Sequence, residues 1–585
     1  WFEFFASVCY YKQRMCWLNC GGKTFIDKYK IKKRRKRMSD LGLDFKEVGL
    51  DAGSLQDFLA GIKELDLKER DPLVDQALVL MEDIYVHLPL KRAMHAVDPI
   101  QRLKLLKYRN ARLSERAFHD EMISIFMGLR DLHTNYMLPD PYQKMRVFLP
   151  FLIEEFYEGN RRKFMVSKVS PDFSHPTFKQ GVLVTHWNGI PIERAVELNG
   201  NRFAGSNEDA RHARGVERMT IRPLIVMLPP DEEWVDITYL VGDQVHQHRF
   251  KWQVTPPPPV SVGSDIESAD ERVQCALGID IETEEVRRMK KAIFSKKAMK
   301  IEKTMAKYHP QYKGKQDKAP DLGNTSLLPD IFAFRTVNTS HGEFGYIRIY
   351  TFKANDEDIF VKEFVRIAEM MPKKGLILDV RGNGGGVIMA GEKLLQVLTP
   401  KKIEPERLSF VTTPLMHELC SKYDWLSQWV PSIERAIETG AVFSQGFPFL
   451  PVEEYNRIGQ KYFGPVILIT DALCYSTTDI FAAGFQDHEI GPILGVHKNT
   501  GAGGANVWTH SLLKRLLPSS TAMLSLPKNA SFRVSIRRTT RVGKNIGMPL
   551  EDLGVVPDHI HYMTKNDLLD KNVDLIEKAA SILAG

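Results

Sequence analysis

The sequence predicts a multidomain α/β protein, and three observations carry that prediction. From residue 331 onward, continuously apolar strand-like runs alternate with helix-period runs, the pattern of a parallel or mixed sheet with crossover helices. Residues 54–130 place apolar side chains at three- and four-residue steps, as packed helices do. Residues 150–255 alternate like half-buried strands, and "TPPPPV" at 255–260 can continue neither a helix nor a central strand. A chain of 585 residues, 43% apolar and 26% charged, has room for several domains around large cores.

Taken in order, residues 1–37 carry eleven Lys or Arg against Glu3 and Asp27, a local net of +9. The whole chain is +7, so the remaining 548 residues sum to −2, which gives no electrostatic case for nucleic acid. Position 1 is Trp, the first twenty residues lack a signal-peptide pattern, and Met38 opens ordinary sequence. Residues 1–37 are therefore expected to be a non-native or disordered basic extension. The region 38–149 is read as helical, ending in the segment that contains His133. The 150–255 region is a β-rich domain in which "GVLVTHWNGIPIERAVEL" reads strand, Asn188-Gly189 turn, strand, helix. Residues 256–330 form a linker plus a basic helix: positions 284–318 hold twelve Lys or Arg, with Phe294, Ala298, Ile301, Met305 and Tyr308 on one face. That helix is expected to be solvated.

The core, 331–585, contains an insertion at 401–460. Its buried strands are "KGLILDV", "GPVILIT" and "GPILGV", with helices at "DIFVKEFVRIAEMM", "VIMAGEKLLQVL" and "TTDIFAAGFQDH". No apolar run is long enough to span a bilayer. The cysteines outside the basic extension, Cys275, Cys420 and Cys474, are too widely spaced for a disulfide framework or a zinc site, which fits a reducing compartment and favours the cytoplasm. "HIH" at 559–561 reads as alternation along a strand rather than a metal pair.

Four segments could carry chemistry. "LDVRGNGGG", 378–386, puts three consecutive glycines between a buried strand and a helix. It is either a flexible turn or a backbone cradle for negative charge, and it lacks the G-x-G-x-x-G spacing of a dinucleotide loop. "ALCYSTTDIF" puts Ser476 at a strand-to-helix turn, where a hydroxyl is either an N-cap or a nucleophile. Thr477 and Thr478 could cap equally well. His133 in "GLRDLHTNY" and Glu551 in "MPLEDLGVVPD" stand in connections, where each alone reads as an ordinary surface or packed residue.

Together these segments resemble the S41 peptidases, the tail-specific or C-terminal-processing proteases, over most of 331–562, with "GLRDLHTNY" upstream. The resemblance implies a ClpP/crotonase-like α/β spiral core and a PDZ-like domain at 150–255. It implies serine peptidase activity on peptide or protein substrates, without metal or organic cofactor, and leaves homo-oligomerisation open. Ser476 matches the family nucleophile, and Gly386 and Thr477 match the oxyanion donors, with Gly385 as a supporting position. Asp487, further along the helix, is either a further support or half of a structural salt bridge. One branch of the family pairs serine with lysine; here the lysine's place falls on Gly501, and Lys498 in "HKNTGAGGANVW" is displaced. The other branch, resembling the tricorn core protease and the chlamydial protease-like factor, uses a histidine in "DLH" and a glutamate before "GV-PD". Both are present, so the expected triad is Ser476, His133 and Glu551. With an ordinary histidine pKa of about 6.5, activity is expected to fall below about pH 6. Two other functions share the fold: a non-catalytic binding protein and a crotonase-like acyl-CoA enzyme.

Overall fold

The structure is a computed structural model that describes residues 52–311, 323–518 and 520–585. The basic extension at 1–37 lies outside the described residues.

Helices dominate the start of the described chain, and several begin where a side chain can take an orphan N–H. Asp66 caps Leu67–Val79 and completes a capping box with Glu69, Asp98 caps Pro99–Arg109, and Ser114 caps Glu115–Met127. Their apolar stripes, including Leu73, Leu103, Phe118 and Phe126, share one core with Phe532 of the strand Ser531–Thr540. Residues 151–251 fold into a six-stranded antiparallel sheet in the order Gln244–Lys251, Trp234–Val241, Leu183–Trp187, Arg161–Val169, Phe151–Glu158, with Ile190–Pro191 beside Leu183–Trp187. Helices Ile192–Gly200 and Glu208–Glu217 follow the Asn188-Gly189 turn.

The second half is built on a six-stranded sheet ordered Phe332–Thr339, Gly342–Ile349, Leu376–Asp379, Val466–Thr470, Ile493–Gly495, His559–Ile560. Only the first pair is antiparallel. Leu376–Asp379 and Val466–Thr470 are buried along their whole length, as central parallel strands covered on both faces must be. Helices Glu357–Met370, Ile388–Leu398 and Thr477–Asp487 cover one face and Val573–Ala584 covers the other. The 401–460 segment contributes the strand Arg407–Phe410 to a separate sheet with Ser531–Thr540, Asn135–Met137 and Ala505–Thr509.

The basic run differs from its expected solvated form. It is two helices, Ile281–Phe294 and Lys296–Met305, and the first buries Val286, Met289, Ala292 and Ile293 against Phe148, Leu152 and Ile221. The charges of this first helix are paired: Arg287 chelates Asp330 and Glu284, and Lys291 lies 3.0 Å from Asp330, whereas Lys297, Lys300 and Lys303 of the second helix are exposed. Among the described residues, no helix is long and apolar enough to cross a membrane.

Candidate active site

Ser476 leaves the end of the strand Val466–Thr470 through a tight turn. Asp471 organises that turn: its Oδ1 accepts the N–H groups of Leu473 and Cys474, and that of Gly382 from the glycine loop at 2.9 Å. The turn forces Ser476 to φ 63°, ψ −123°, outside the regions where a side chain is comfortable. Such a residue costs of the order of 1–3 kcal/mol and persists only when its surroundings over-determine it. Here Ser476 N–H donates to Gly503 O at 2.9 Å and Tyr475 N–H to Asn383 O at 3.1 Å. The Ser476 hydroxyl makes no capping bond to the helix Thr477–Asp487, has no hydrogen-bond partner, and is fully buried. The cap reading of Ser476 therefore has no support in its geometry.

The glycine loop lies against it. Asp379 ends the preceding strand. Burial works against its charge, but Arg348 and Arg381 hold it well below the ordinary carboxylate range. Asn383 then accepts the Gly385 N–H at 3.0 Å. Gly385 and Gly386 have φ of 103° and 154°. A Cβ on Gly385 would fall 2.8 Å from Ser476 Cβ, so the bare backbone touches the serine. Gly385–Val387 is also a short strand, and its partner is Leu277–Ile279, with Gly278 opposite Gly386. The bonds Asp280 N–H to Gly384 O (2.8 Å) and Ile388 N–H to Ala276 O (3.0 Å) flank that pair. Antiparallel alternation then makes Gly278 and Gly386 a hydrogen-bonded pair. Thr477 Oγ1 lies 3.0 Å from both Gly278 O and Gly386 O. The segment 276–280 thus covers Ser476, and its Asp280 is anchored by a buried ion pair with Arg214.

His133 arrives from the other side. It follows the helix Glu115–Met127, and its ring packs on that of Tyr475, the neighbour of Ser476, at 4.6 Å between centroids. Leu132 N–H donates to the Tyr475 hydroxyl at 3.2 Å, tying the two segments together. His133 is fully buried and neither ring nitrogen has a hydrogen-bond partner. Burial first, then the charges of Arg533 and Lys91, push its pKa down to about 4 against the pull of Asp131.

Glu551 is buried nearby but does not hydrogen-bond His133. Its Oε1 lies 2.7 Å from the Lys91 ammonium and its Oε2 3.9 Å from His87 Nε2. His87, Asp131 and Glu551 bring ligand-type atoms within 4.8 Å of one another, but Lys91 supplies the positive charge beside them. Asp487 sits at the far end of the Ser476 helix, about 16 Å along its axis at 1.5 Å per residue, where Arg541 and Asn545 take up its carboxylate. Lys498 is exposed. The structure thus gathers Ser476, Thr477, Gly385 and Gly386 into one contact set and places His133 against Tyr475. It puts Glu551 in the adjoining ionic cluster and Asp487 elsewhere. Gly278, Asp131, Lys91 and His87 lie beside these groups, and little in the sequence points to them. Asp131, two residues before His133 in "DLH", was the one within reach of a local pattern.

The buried imidazoles make stability pH-dependent. Burial, aided by Lys91 and Arg538, pushes His87 down to about 3, and His133 lies at about 4. The unfolded chain protonates both at about 6.5, so between pH 6.5 and 4 it binds more protons than the native state and stability falls with pH. At about 1.36 kcal/mol per unit, each imidazole costs roughly 2 kcal/mol by pH 5. Burial raises Glu392 to about 8 and Asp479 to about 7, and these carboxyls act in the opposite sense, so the imidazole contribution is read as a difference. Between pH 7 and pH 5 the Tm of His87→Gln should fall less, or rise more, than that of the parent, and identical shifts would show that this ring is not held neutral.

Residues 343–558 match the model of peptidase family S41. Among solved structures, the chain is similar to mature CPAF complexed with lactacystin, at TM-score 0.59 and 14% identity, covering 88% of this chain and 99% of that one. It is similar to uncomplexed mature CPAF at TM-score 0.61 and 14% identity, over 88% and 98%. At that identity the likeness shows a shared fold. No curated protein matches the chain.

Proposed function

We propose that this chain, a serine peptidase of family S41 by its match over residues 343–558, hydrolyses peptide bonds through an acyl-enzyme on Ser476. The observation that carries the assignment is a serine held at φ 63° with a buried, uncapped hydroxyl against the glycine loop. A residue kept in that conformation without making the cap its position offers is kept for another purpose. His133 takes the Ser476 proton as oxygen attacks the carbonyl, and returns it to the leaving amine. The N–H groups of Gly386 and Thr477, the latter at a helix N-terminus, hold the oxyanion. Glu551 pairs with Lys91, whose charge is one of those that act on His133.

The wider assignments follow the same reading. The sheet of 342–560 with its crossover helices is proposed as a ClpP/crotonase-like core, and 151–251 as a PDZ-like domain. The edge strand Gln244–Lys251 of that domain pairs on one side only and offers a place for a peptide strand. A substrate strand can reach Ser476 only when 276–280 leaves the edge of Gly385–Val387.

A biotinylated fluorophosphonate tests the nucleophile. A covalent adduct mapped by peptide mass spectrometry to Ser476, absent in Ser476→Ala, is the expected result. The buried hydroxyl predicts slow labelling that speeds up under mild urea, before global unfolding. No adduct at Ser476 under any of these conditions, with no cleavage of a random peptide pool, would favour a binding protein on this fold.

A further inference from the structure

We propose that Asp131, not Glu551, is the carboxylate that positions His133, and that Lys91 ties Glu551 into a separate ion pair that fixes the turn at 551. This rests on the reading of His133 as the base for Ser476.

The nearest carboxylate oxygen to a His133 ring nitrogen is on Asp131, 3.7 Å from Nδ1. That carboxylate is rigidly held. Its Oδ1 accepts the His133 backbone N–H at 2.8 Å, and its Oδ2 accepts the hydroxyls of Thr134 at 2.9 Å and Ser535 at 2.8 Å. Ser535 lies on the long strand Ser531–Thr540, so the acceptor stands on a rigid element rather than a free loop. A small rotation of the imidazole closes the remaining gap, and catalytic hydrogen bonds are often long in the absence of substrate. All three of these donors are neutral, so the carboxylate keeps its charge available for the imidazolium that forms during attack.

Glu551 is placed differently. The Lys91 ammonium at 2.7 Å neutralises it, and Lys91 also reaches Asp552 and donates to Arg130 O at 3.1 Å. An acid already paired with an ammonium has little charge left to offer an imidazolium. That network joins the helix Leu88–His95, the turn before His133 and the 551 turn, which is the work of a structural latch. The two acids are also driven apart in ionisation. Burial opposes the Asp131 charge, yet His87, His133 and Lys91 hold it down at about 2. Burial raises Glu551, with Asp131 and Asp552 adding to it and Lys91 opposing. Diverging environments for two neighbouring carboxyls are how sites divide roles between them. The other charged or titratable groups facing His133 are Arg533, Asp280, Lys91, His87 and Tyr475, and His87 also faces Asp131. Arg533 and Lys91 are cations, and Asp280 is committed to Arg214.

The test reads the imidazole directly. In the full chain carrying Ser476→Ala, with ¹⁵N-labelled histidine at pH 7, His133 should show the Nδ1–H tautomer. Asp131→Asn should scramble that tautomer, because the acceptor at Nδ1 loses its charge. Glu551→Gln should leave it intact. In the Ser476 enzyme, Asp131→Asn should lower kcat by about 10²–10⁴-fold with KM little changed, as loss of an orienting carboxylate does. Glu551→Gln should cost less than about 10-fold, and Asp131→Glu should recover part of the rate. The opposite pattern, with tautomer and rate lost in Glu551→Gln and kept in Asp131→Asn, overturns the proposal. Should Asp131→Asn fail to fold, the Glu551→Gln tautomer alone decides: retained supports, lost overturns. Because the tautomer needs no turnover, this result stands apart from whether Ser476 takes the fluorophosphonate.

Discussion

Gly386→Ala is expected to remove most peptidase activity and to lower Tm in the same protein. The reason is steric before it is chemical. Gly386 has φ 154°, and a Cβ there would lie 1.9 Å from Phe352 C, 2.1 Å from Lys353 N and 2.3 Å from Phe352 O. These are backbone atoms, and the ladder holds them in place: Phe352 N–H donates to Gly385 O and Val387 N–H to Phe352 O, both at 2.9 Å. No rotamer change can relieve the clash, so the loop itself must move. Overpacking of this kind typically costs about 1–3 kcal/mol or more. Under the proposed mechanism the displaced Gly386 N–H would no longer reach the oxyanion, a loss worth about 10²–10³ in kcat. Gly382→Ala is the control. It also has positive φ, 64°, but its Cβ would meet nothing nearer than an Arg348 nitrogen at 4.0 Å. It should strain the backbone modestly and leave kcat near that of the parent. A Gly386→Ala enzyme with unchanged kcat would remove Gly386 from the oxyanion hole.

Local pattern and long-range pairing divide what the sequence reveals here. The strands Leu376–Asp379 and Val466–Thr470 are continuously apolar because both faces are covered, and that signal lies within a few residues. Whether Ser476 caps its helix is different, since the same letters serve either role. Only the positive φ imposed by Asp471 and Gly503 separates them. The solvated reading of the basic run misses its first helix for a related reason: Arg287 and Lys291 are paired with Asp330, about forty residues on, and a charge run does not announce its partners. Lys91 and Glu551 are 460 positions apart and meet only in the folded core. The segment 276–280 was read as linker because it follows the proline run, and nothing within it marks it as the strand that lies over the serine. Motifs therefore point to the candidate reacting groups, whereas the residues packed around them come from tertiary pairing.

His133→Ala should abolish turnover with the fold intact, and Lys498→Ala should change the rate less than about threefold, within the range of ordinary surface substitutions. A lysine serves as base only when neutral, and neutrality at pH 7 requires burial. Lys498 is exposed, and its recorded hydrogen bond is from the backbone N–H to Asp209 at 2.9 Å, which alanine keeps. His133 is fully buried beside Tyr475, with ring nitrogens free to accept the serine proton. The structure also moves the expected acid limb. An ordinary histidine base loses activity below about pH 6, but burial, Arg533 and Lys91 hold His133 at about 4. The imidazole therefore stays neutral and competent through pH 5, and kcat/KM should fall only as pH approaches 4. In this interval the stability contributed by the neutral imidazoles is lost before the base is protonated, so initial rates at low temperature must be separated from inactivation. An acid limb near 6.5 in such rates would mean that the site opens to solvent before reacting. A Lys498→Ala protein without activity, beside a His133→Ala protein that keeps most of its rate, would place the chain with the serine–lysine branch instead.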